Sequence, residues 1–132
     1  MAQAFHHEVQ VYYEDTDHSG VVYHANYLKY FERAREHMLG VAHLRSLWER
    51  DQIGFVVYKA SLTFRAGAVF GDTVIVNTTV RAESEYRLNF HHVARRKGDD
   101  VTLVESDIEL ACVDRGKKLV KIPRDVVVRV GA

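Results

Sequence analysis

Hydrophobic positions follow two different periods along the chain, and the change between them separates a helical segment from a series of strands. Just after position 26, apolar residues recur at the three-to-four-residue spacing of one helix face: Tyr27, Phe31, Ala34 and Met38. Gly40 stands where a left-handed helix terminus favours glycine. We therefore predict a long amphipathic helix from Asn26 to Gly40 and a shorter helix over residues 43–50.

Segments rich in β-branched and aromatic residues make up most of the remaining chain. A first strand is predicted to run from His6 to Tyr13, because apolar and polar side chains alternate there. Further strand candidates follow Gln52: "IGFVVYKASLTF", "TVIVNTTVRA", "YRLNFHHVARR", "VTLVESDIELACV" and "KLVKIPRDVVVRV". A long helix can bury its apolar face only against the sheet. The pattern thus predicts an α+β fold, with an antiparallel sheet of five or six strands wrapped around one long central helix.

Composition and charge limit the classes of function. Apolar residues make up 47% of the 132 residues, as in globular proteins, and we expect a single domain over residues 1–132. The 18 basic and 18 acidic residues balance, so no net field attracts nucleic acid or an anionic membrane. We see neither a secretory signal nor an apolar run of about 20 residues, which favours a cytoplasmic protein with no transmembrane segment. The single Cys112 excludes an internal disulfide.

Titratable side chains crowd the loop that must connect the first strand to the long helix. The stretch "YYEDTDHSGVVYHANYLKYFERAR" places Asp15, Asp17 and His24 before the helix, whereas a purely structural turn needs only one Asp or Ser. This stretch resembles the signature of the hotdog-fold acyl-CoA thioesterases of the 4-hydroxybenzoyl-CoA thioesterase family. Within that family it is most similar to the branch found with the bacterial Tol-Pal system. The similarity continues through "FRAGAVFGD" and the later strands, over nearly the full chain.

The resemblance implies a hotdog fold and a hydrolase that cleaves an acyl-CoA substrate to a free acid and coenzyme A. It implies no cofactor, since coenzyme A is part of the substrate. Whether acyl carrier protein can replace coenzyme A as the carrier stays open, as does the nature of the acyl group. Members of this fold are similar in forming homodimers or homotetramers with active sites between paired subunits, and we expect the same of this chain.

Matching positions of the motif assign the family's catalytic carboxylate to Asp17, and the residues that assist it to Tyr13 and His24. The aromatic-acyl thioesterases generally carry tyrosine at the position of His24, so 4-hydroxybenzoyl specificity does not transfer with the resemblance. A carboxylate can act as nucleophile, through an anhydride, or as general base for water, and both routes stay open. Unpaired amides at a helix start can polarise the thioester carbonyl, which we expect beside Tyr23 to Ala25.

Further residues are candidates for substrate contacts. Asn26 is predicted either to cap the long helix or to line the pocket. Three arginines could meet the phosphates of coenzyme A, although basic residues at a strand end also discourage aggregation: Arg65, Arg95 and Arg96. With Tyr23 and Ala25, these residues complete the predicted substrate-binding set.

Other kinds of site compete with thioester hydrolysis. Metal catalysis is disfavoured, because neighbouring histidines on a strand point to opposite faces and no HExxH or cysteine-rich spacing occurs. A hotdog-type enoyl-CoA hydratase would also use an acid and a histidine near a helix. A non-catalytic module that binds acyl-CoA or acyl carrier protein is the third alternative, although a pure binder has no need of Asp17.

Overall fold

Five antiparallel strands form the sheet of the computed structural model, which describes residues 4–131. The strands are β1 (Phe5–Gln10), β2 (Gly54–Phe64), β3 (Thr73–Ala82), β4 (Arg87–Arg96) and β5 (Thr102–Val113). Their order across the sheet is β1-β3-β4-β5-β2, so β3, β4 and β5 each pair with two neighbours. The predicted α+β fold with a helix on an antiparallel sheet is confirmed.

The long helix α1 (Asn26–Leu39) packs its apolar face against this sheet. Its buried side chains repeat at helical spacing: Tyr27, Tyr30, Phe31, Ala34, Arg35 and Leu39. Phe31 stacks on the His92 ring of β4, with ring centroids 4.7 Å apart. Tyr27 meets Phe64 at the end of β2. Burial of each large apolar side chain contributes about 1.5–3 kcal/mol, so this face holds the helix on the sheet.

Strand β2 forms one edge of the sheet. It is 11 residues long and pairs only with β5 among the strands of the described chain. Three of its large apolar side chains are half exposed or more: Phe64 at 50%, Val57 at 54% and Tyr58 at 55%. An edge strand presents unpaired backbone N–H and C=O groups that can bind a further strand. This edge can therefore accept a strand from another chain.

The C-terminal segment differs from its prediction. The residues of "KLVKIPRDVVVRV" predict a strand, and this prediction is wrong. Arg124–Val130 form helix α3, and the residues just before it make one isolated bridge. Pro123 lacks the N–H that a strand ladder needs and suits a helix start. Val126 and Val130 lie one helical turn apart and are both buried, so the valines pack as a helix face.

The first strand is shorter than predicted. β1 ends at Gln10, and its predicted extension to Tyr13 is wrong. The Asp15 carboxylate accepts the N–H of Tyr12 at 2.8 Å, and Tyr13–Asp15 form a 3₁₀ turn. A side-chain acceptor thus takes a backbone donor that a strand would use in its ladder.

The second predicted helix is present with different bounds. Helix α2 covers Val41–Ser46 and passes directly into a π-helical turn over Leu47–Asp51. Leu47 is buried, which anchors the turn where the regular helix ends. From residue 4 to residue 131, no helix has both the length and the apolar character needed to cross a membrane.

Candidate active site

A tight turn between β1 and α1 carries Asp17. A bridge between Thr16 and Val22 joins its two sides, and the Asp17 N–H donates to the Val21 carbonyl at 2.8 Å. Gly20 adopts φ +89°, a left-handed conformation that other residues disfavour, and its N–H donates to the Asp17 carbonyl at 3.0 Å. The turn therefore fixes the backbone of Asp17 shortly before α1 begins.

The Asp17 carboxylate is partly exposed and ionised. Its Oδ1 accepts the Ser19 hydroxyl at 2.7 Å and the Ser19 backbone N–H at 2.9 Å. These bonds, the hydroxyl first, hold the pKa of the Asp17 carboxyl below its ordinary value. No cation of the described residues lies within ion-pair distance of it. The carboxylate is thus available to a substrate or a water at neutral pH.

The loop over residues 65–72 packs against this turn. The Val22 N–H donates to the Ala68 carbonyl at 2.8 Å. Gly67 allows the close approach, because a side-chain carbon at that position would lie 2.8 Å from Cγ1 of Val21. The absence of a side chain at Gly67 therefore positions the turn that holds Asp17.

Asp15 has a structural role that differs from the candidate role of Asp17. Its buried carboxylate accepts the Tyr12 N–H at 2.8 Å and the side-chain amide of Asn26 at 2.9 Å. Asn26 is the first residue of α1, and Ala25 occupies the cap position. The predicted capping role of Asn26 is therefore wrong: its amide instead ties the start of α1 to Asp15.

Two backbone amides ahead of α1 can bind an anionic oxygen. The Tyr23 N–H is not one of them, because it donates to the Asp15 carbonyl at 2.8 Å, contrary to the expectation that this amide is free. The N–H groups of His24 and Ala25 have no acceptor within residues 4–131. Amides at a helix start carry the positive end of the helix dipole, so these two suit a developing negative charge.

Aromatic side chains surround this segment on the surface. Tyr13 is 78% exposed and its ring stacks on Phe70, with centroids 4.2 Å apart. The exposed His24 ring lies 4.5 Å from Tyr23 and 6.2 Å from Phe64, between centroids. The structure therefore holds Tyr13 against Phe70 and places His24 beside Tyr23 and Phe64, and neither side chain makes a hydrogen bond or ion pair with Asp17 among residues 4–131.

The three predicted phosphate-binding arginines all have carboxylate partners. Arg65 Nε donates to Glu105 at 2.6 Å, and Arg95 lies 4.0 Å from Asp100. Arg96 has the most partners of the three. It donates hydrogen bonds to Asp99 at 2.6 Å and to the Gly67 carbonyl at 2.7 Å, and it lies 3.5 Å from the Asp72 carboxylate. Any phosphate would therefore have to share these arginines with carboxylates.

A buried polar cluster behind α1 was not predicted. Nη1 of Arg35 donates to Nε2 of His92 at 3.2 Å, and Arg35 is only 5% exposed. Because arginine has no acceptor, His92 must carry its proton on Nδ1, which donates to the Thr78 hydroxyl at 2.8 Å. One signal was present in the sequence: Arg35 follows Phe31 by four residues and so falls on the apolar face of α1.

Known proteins share this sequence and fold. The model of the thioesterase-like superfamily matches residues 11–130. The chain is 38% identical to the acyl-CoA thioesterase YbgC of Haemophilus influenzae, over 92% of this chain and 90% of that protein. It is 34% identical to the acyl-CoA thioester hydrolase YbgC of Escherichia coli, over 93% of this chain and 92% of that protein. Slr0204, a 1,4-dihydroxy-2-naphthoyl-CoA thioesterase from Synechocystis, superposes with a TM-score of 0.90 at 26% identity, over 98% of this chain and 96% of that one.

Proposed function

The chain belongs to the thioesterase-like superfamily, and we propose that it hydrolyses an acyl-CoA thioester with Asp17 as the catalytic carboxylate. The observation that carries this proposal is an ionised, partly exposed carboxylate a few residues before two amides that have no acceptor among the described residues. The names of the relatives support the class of substrate. Neither part of the site requires a metal or a cofactor for the reaction.

In the general-base route, Asp17 removes a proton from a water molecule whose oxygen attacks the thioester carbon. The carbonyl electrons move onto oxygen, which the His24 and Ala25 amides stabilise. When the carbonyl re-forms, the carbon–sulfur bond breaks and the coenzyme A thiolate leaves with the proton from Asp17. Loss of one oxyanion donor typically costs about 10²–10³ in rate.

In the nucleophilic route, an Asp17 oxygen attacks the thioester carbon directly and expels the thiolate, which leaves a mixed anhydride. Water then cleaves the anhydride and restores the carboxylate. Single turnover in oxygen-18 water separates the routes. The anhydride route can leave label in the Asp17 side chain, whereas the general-base route places it only in the released acid.

We assign assisting roles to the two other motif residues. The His24 ring is exposed on the segment that supplies the amides, where it can orient the water or the acyl carbonyl. Tyr13 precedes Asp17 by four residues, its side chain is exposed, and its ring is held by stacking on Phe70. We propose Arg65 and Arg95 as the contacts for coenzyme A phosphates, because the carboxylates that they pair with are near the surface. Arg96 has fewer free N–H groups for a phosphate, since it also donates to the Gly67 carbonyl.

We propose further that two chains pair through β2. An antiparallel pair of these strands sets the Phe64 end of one chain against the Gly54 end of its partner. Because Tyr27 near the start of α1 contacts Phe64, the pairing brings each Asp17 segment towards the partner chain. The exposed aromatic surface around His24 then becomes part of a shared cleft. Whether pairs associate further into tetramers is a separate question for light scattering.

The test is thiol release from a series of acyl-CoA thioesters by Asp17→Asn. This variant keeps the shape of the side chain and removes its charge, so we expect kcat to fall by about 10²–10⁴ while the fold survives. Glu14→Gln is the matched control: it removes a carboxylate from the same loop, where Glu14 is exposed, and should leave turnover unchanged.

The outcomes separate the competing functions. Undiminished turnover in Asp17→Asn removes that residue from the mechanism. Binding of acyl-CoA without thiol release by the native chain would identify a binding module. Loss of an enoyl double bond without thiol release would identify a hydratase.

A further inference from the structure

Asp15 closes the base of the turn that carries Asp17. Its buried carboxylate accepts the Tyr12 N–H at 2.8 Å before the turn and the side-chain amide of Asn26 at 2.9 Å after it. Its backbone carbonyl accepts the Tyr23 N–H at 2.8 Å, also after the turn. Hydrogen bonds to this one residue therefore hold the two ends of the turn together.

Both parts of the proposed site are adjacent to these bonds. Asp17 follows Asp15 by two residues. The N–H groups of His24 and Ala25, which have no acceptor within residues 4–131, lie between the two later residues that Asp15 holds. A carboxylate that attacks a thioester or activates water must stand at a fixed distance from the donors for the carbonyl oxygen. The bonds of Asp15 span the interval that sets this distance.

The side chain of Asp17 does not fix its own position relative to α1. Among residues 4–131 its carboxylate bonds only to Ser19, within the same turn. The bond between Asp15 and Asn26 is the only side-chain hydrogen bond that joins residues 11–25 to α1 in the described chain. The position of Asp17 relative to the helix thus depends on Asp15, together with the loop over residues 65–72.

Asp15 also acts on the next turn of α1. Tyr30 lies four residues after Asn26 and therefore on the same face of the helix. Its side chain is fully buried, and burial first and the charge of Asp15 next raise the pKa of the Tyr30 hydroxyl. The Asp15 carboxylate is thus held against two successive turns of the helix, which restricts its direction.

We propose that Asp15 is a positioning residue for thioester hydrolysis, whose bonds to Tyr12 and Asn26 hold Asp17 at its working distance from the two free amides at the start of α1. This inference rests on the proposed function, because it acts through the same Asp17 carboxylate. Asp15 itself is buried, and both of its carboxylate oxygens accept hydrogen bonds from the protein. A displacement of about 1 Å in a catalytic site can cost about 10²-fold in rate.

The test compares two substitutions of Asp15 by their thiol release from acyl-CoA. Asp15→Ala removes both side-chain bonds, so we expect kcat to fall about 10–100-fold while KM changes by less than about threefold. Asp15→Asn can keep both bonds. Its amide oxygen accepts the Tyr12 N–H, and its NH₂ group donates to Asn26, whose side chain has no other hydrogen bond within residues 4–131 and can turn round. This variant should keep kcat within about threefold of the native value.

The assays are run well below the unfolding temperature of each variant, so that a loss of folded protein is not counted as a loss of kcat. Asn26→Ala is the second variant, in case Asp15→Ala does not fold: it breaks the same bond from the helix side, and alanine favours the helix. We expect kcat about tenfold lower with KM nearly unchanged. Glu14→Ala is the matched control, because it removes the exposed neighbouring carboxylate, and it should keep full turnover.

Native kcat in folded Asp15→Ala or in Asn26→Ala overturns the proposal. So does a kcat in folded Asp15→Asn as low as that in Asp15→Ala, because the hydrogen bonds would then not be what matters.

A double variant separates failure of this inference from failure of the proposed mechanism. Because Asp15 acts through Asp17, adding Asp15→Ala to Asp17→Asn should lower kcat by less than about threefold further. Two fully independent losses would contradict the positioning role. Undiminished thiol release in Asp17→Asn alone removes the proposed mechanism, whereas a loss there with native kcat in Asp15→Ala removes only this inference.

Discussion

His92 is a buried histidine that the fold keeps neutral. Its side chain is fully buried, stacks on Phe31 and bonds to Arg35 and Thr78. Burial lowers its pKa from 6.5 to about 3, with the charge of Arg35 as the next cause. In the unfolded chain the ring regains its ordinary pKa and takes up a proton below pH 6.5. Stability that is present above that pH is therefore lost as pH falls from 6.5 towards 3.

This linkage predicts the behaviour of His92→Gln. The glutamine carbonyl can accept from Arg35 and its amide can donate to Thr78, so the variant keeps both bonds without a titrating group. At pH 7 we expect a loss of about 1–2 kcal/mol, since the stacking on Phe31 is removed. Below pH 6.5 the deficit should narrow by about 1.4 kcal/mol per pH unit. Urea unfolding at pH 7, 5.5 and 4.5 measures the difference.

The neighbouring histidine supplies the control for this measurement. His91 is exposed on the other face of β4, where it contacts Asp107. His91→Gln removes only the smallest of the three causes that lower the pKa of His92, so most of the pH dependence of unfolding should remain. Parallel stability curves for the native chain and His92→Gln would contradict the neutral state of His92 in the folded chain.

Among the elements, those with a continuous pattern over many residues could be predicted and those decided by distant contacts could not. α1 has a continuous helical period, the four long strands β2 to β5 are continuous runs rich in β-branched and aromatic residues, and the predicted bounds of all five lie close to those in the structure. The valines after Pro123 favour a strand by local propensity, but burial of Val126 and Val130 selects a helix. The end of β1 depends on one side chain, Asp15, that takes the N–H of Tyr12.

The contact between two loops at the active site leads to a prediction for Gly67→Ala. The added carbon would lie 2.8 Å from Cγ1 of Val21, which is closer than van der Waals contact allows. The turn that carries Asp17 must shift, and we expect a loss of about 1–3 kcal/mol in stability together with reduced turnover. Thermal unfolding and thiol release measure the two effects.

A double variant tests whether contact with Val21 causes the loss of stability in Gly67→Ala. Val21→Ala removes the atom that the new side chain meets, so adding it to Gly67→Ala should restore much of the lost stability. Gly116→Ala is the control at a distant turn, where an added carbon has an ordinary contact of 3.4 Å with Asp114. Equal losses in Gly67→Ala with and without Val21→Ala would rule out the steric explanation.

At the scale of the whole molecule, the family and the class of enzyme, an acyl-CoA thioester hydrolase, are confirmed by the relatives. Both could be predicted because the motif around Asp17 is contiguous in sequence. The pair of Arg35 and His92 could not, since 57 positions separate its members and only the packing of α1 on β4 brings them together. The exposed edge of β2 likewise exists only in the folded chain, and the pairing of two chains through it stays a prediction.

Pairing through β2 is tested by a charge placed on that strand. Ala60 is exposed near the middle of β2, where two antiparallel copies would lie side by side. Ala60→Asp sets two like charges close together in the pair, so we expect size-exclusion chromatography with light scattering to shift from the mass of two or more chains towards that of one.

Loss of the pair should also reduce activity, because the segment that carries Asp17 lies near the Phe64 end of β2. If both chains line the cleft, Ala60→Asp loses thiol release in proportion to the loss of the pair, although it touches none of the catalytic residues. Ala42→Asp makes the same substitution on the exposed face of α2 and should change neither mass nor turnover. Full turnover by a single chain would show that each Asp17 site is complete without a partner, because dissociation removes whatever the second chain contributes.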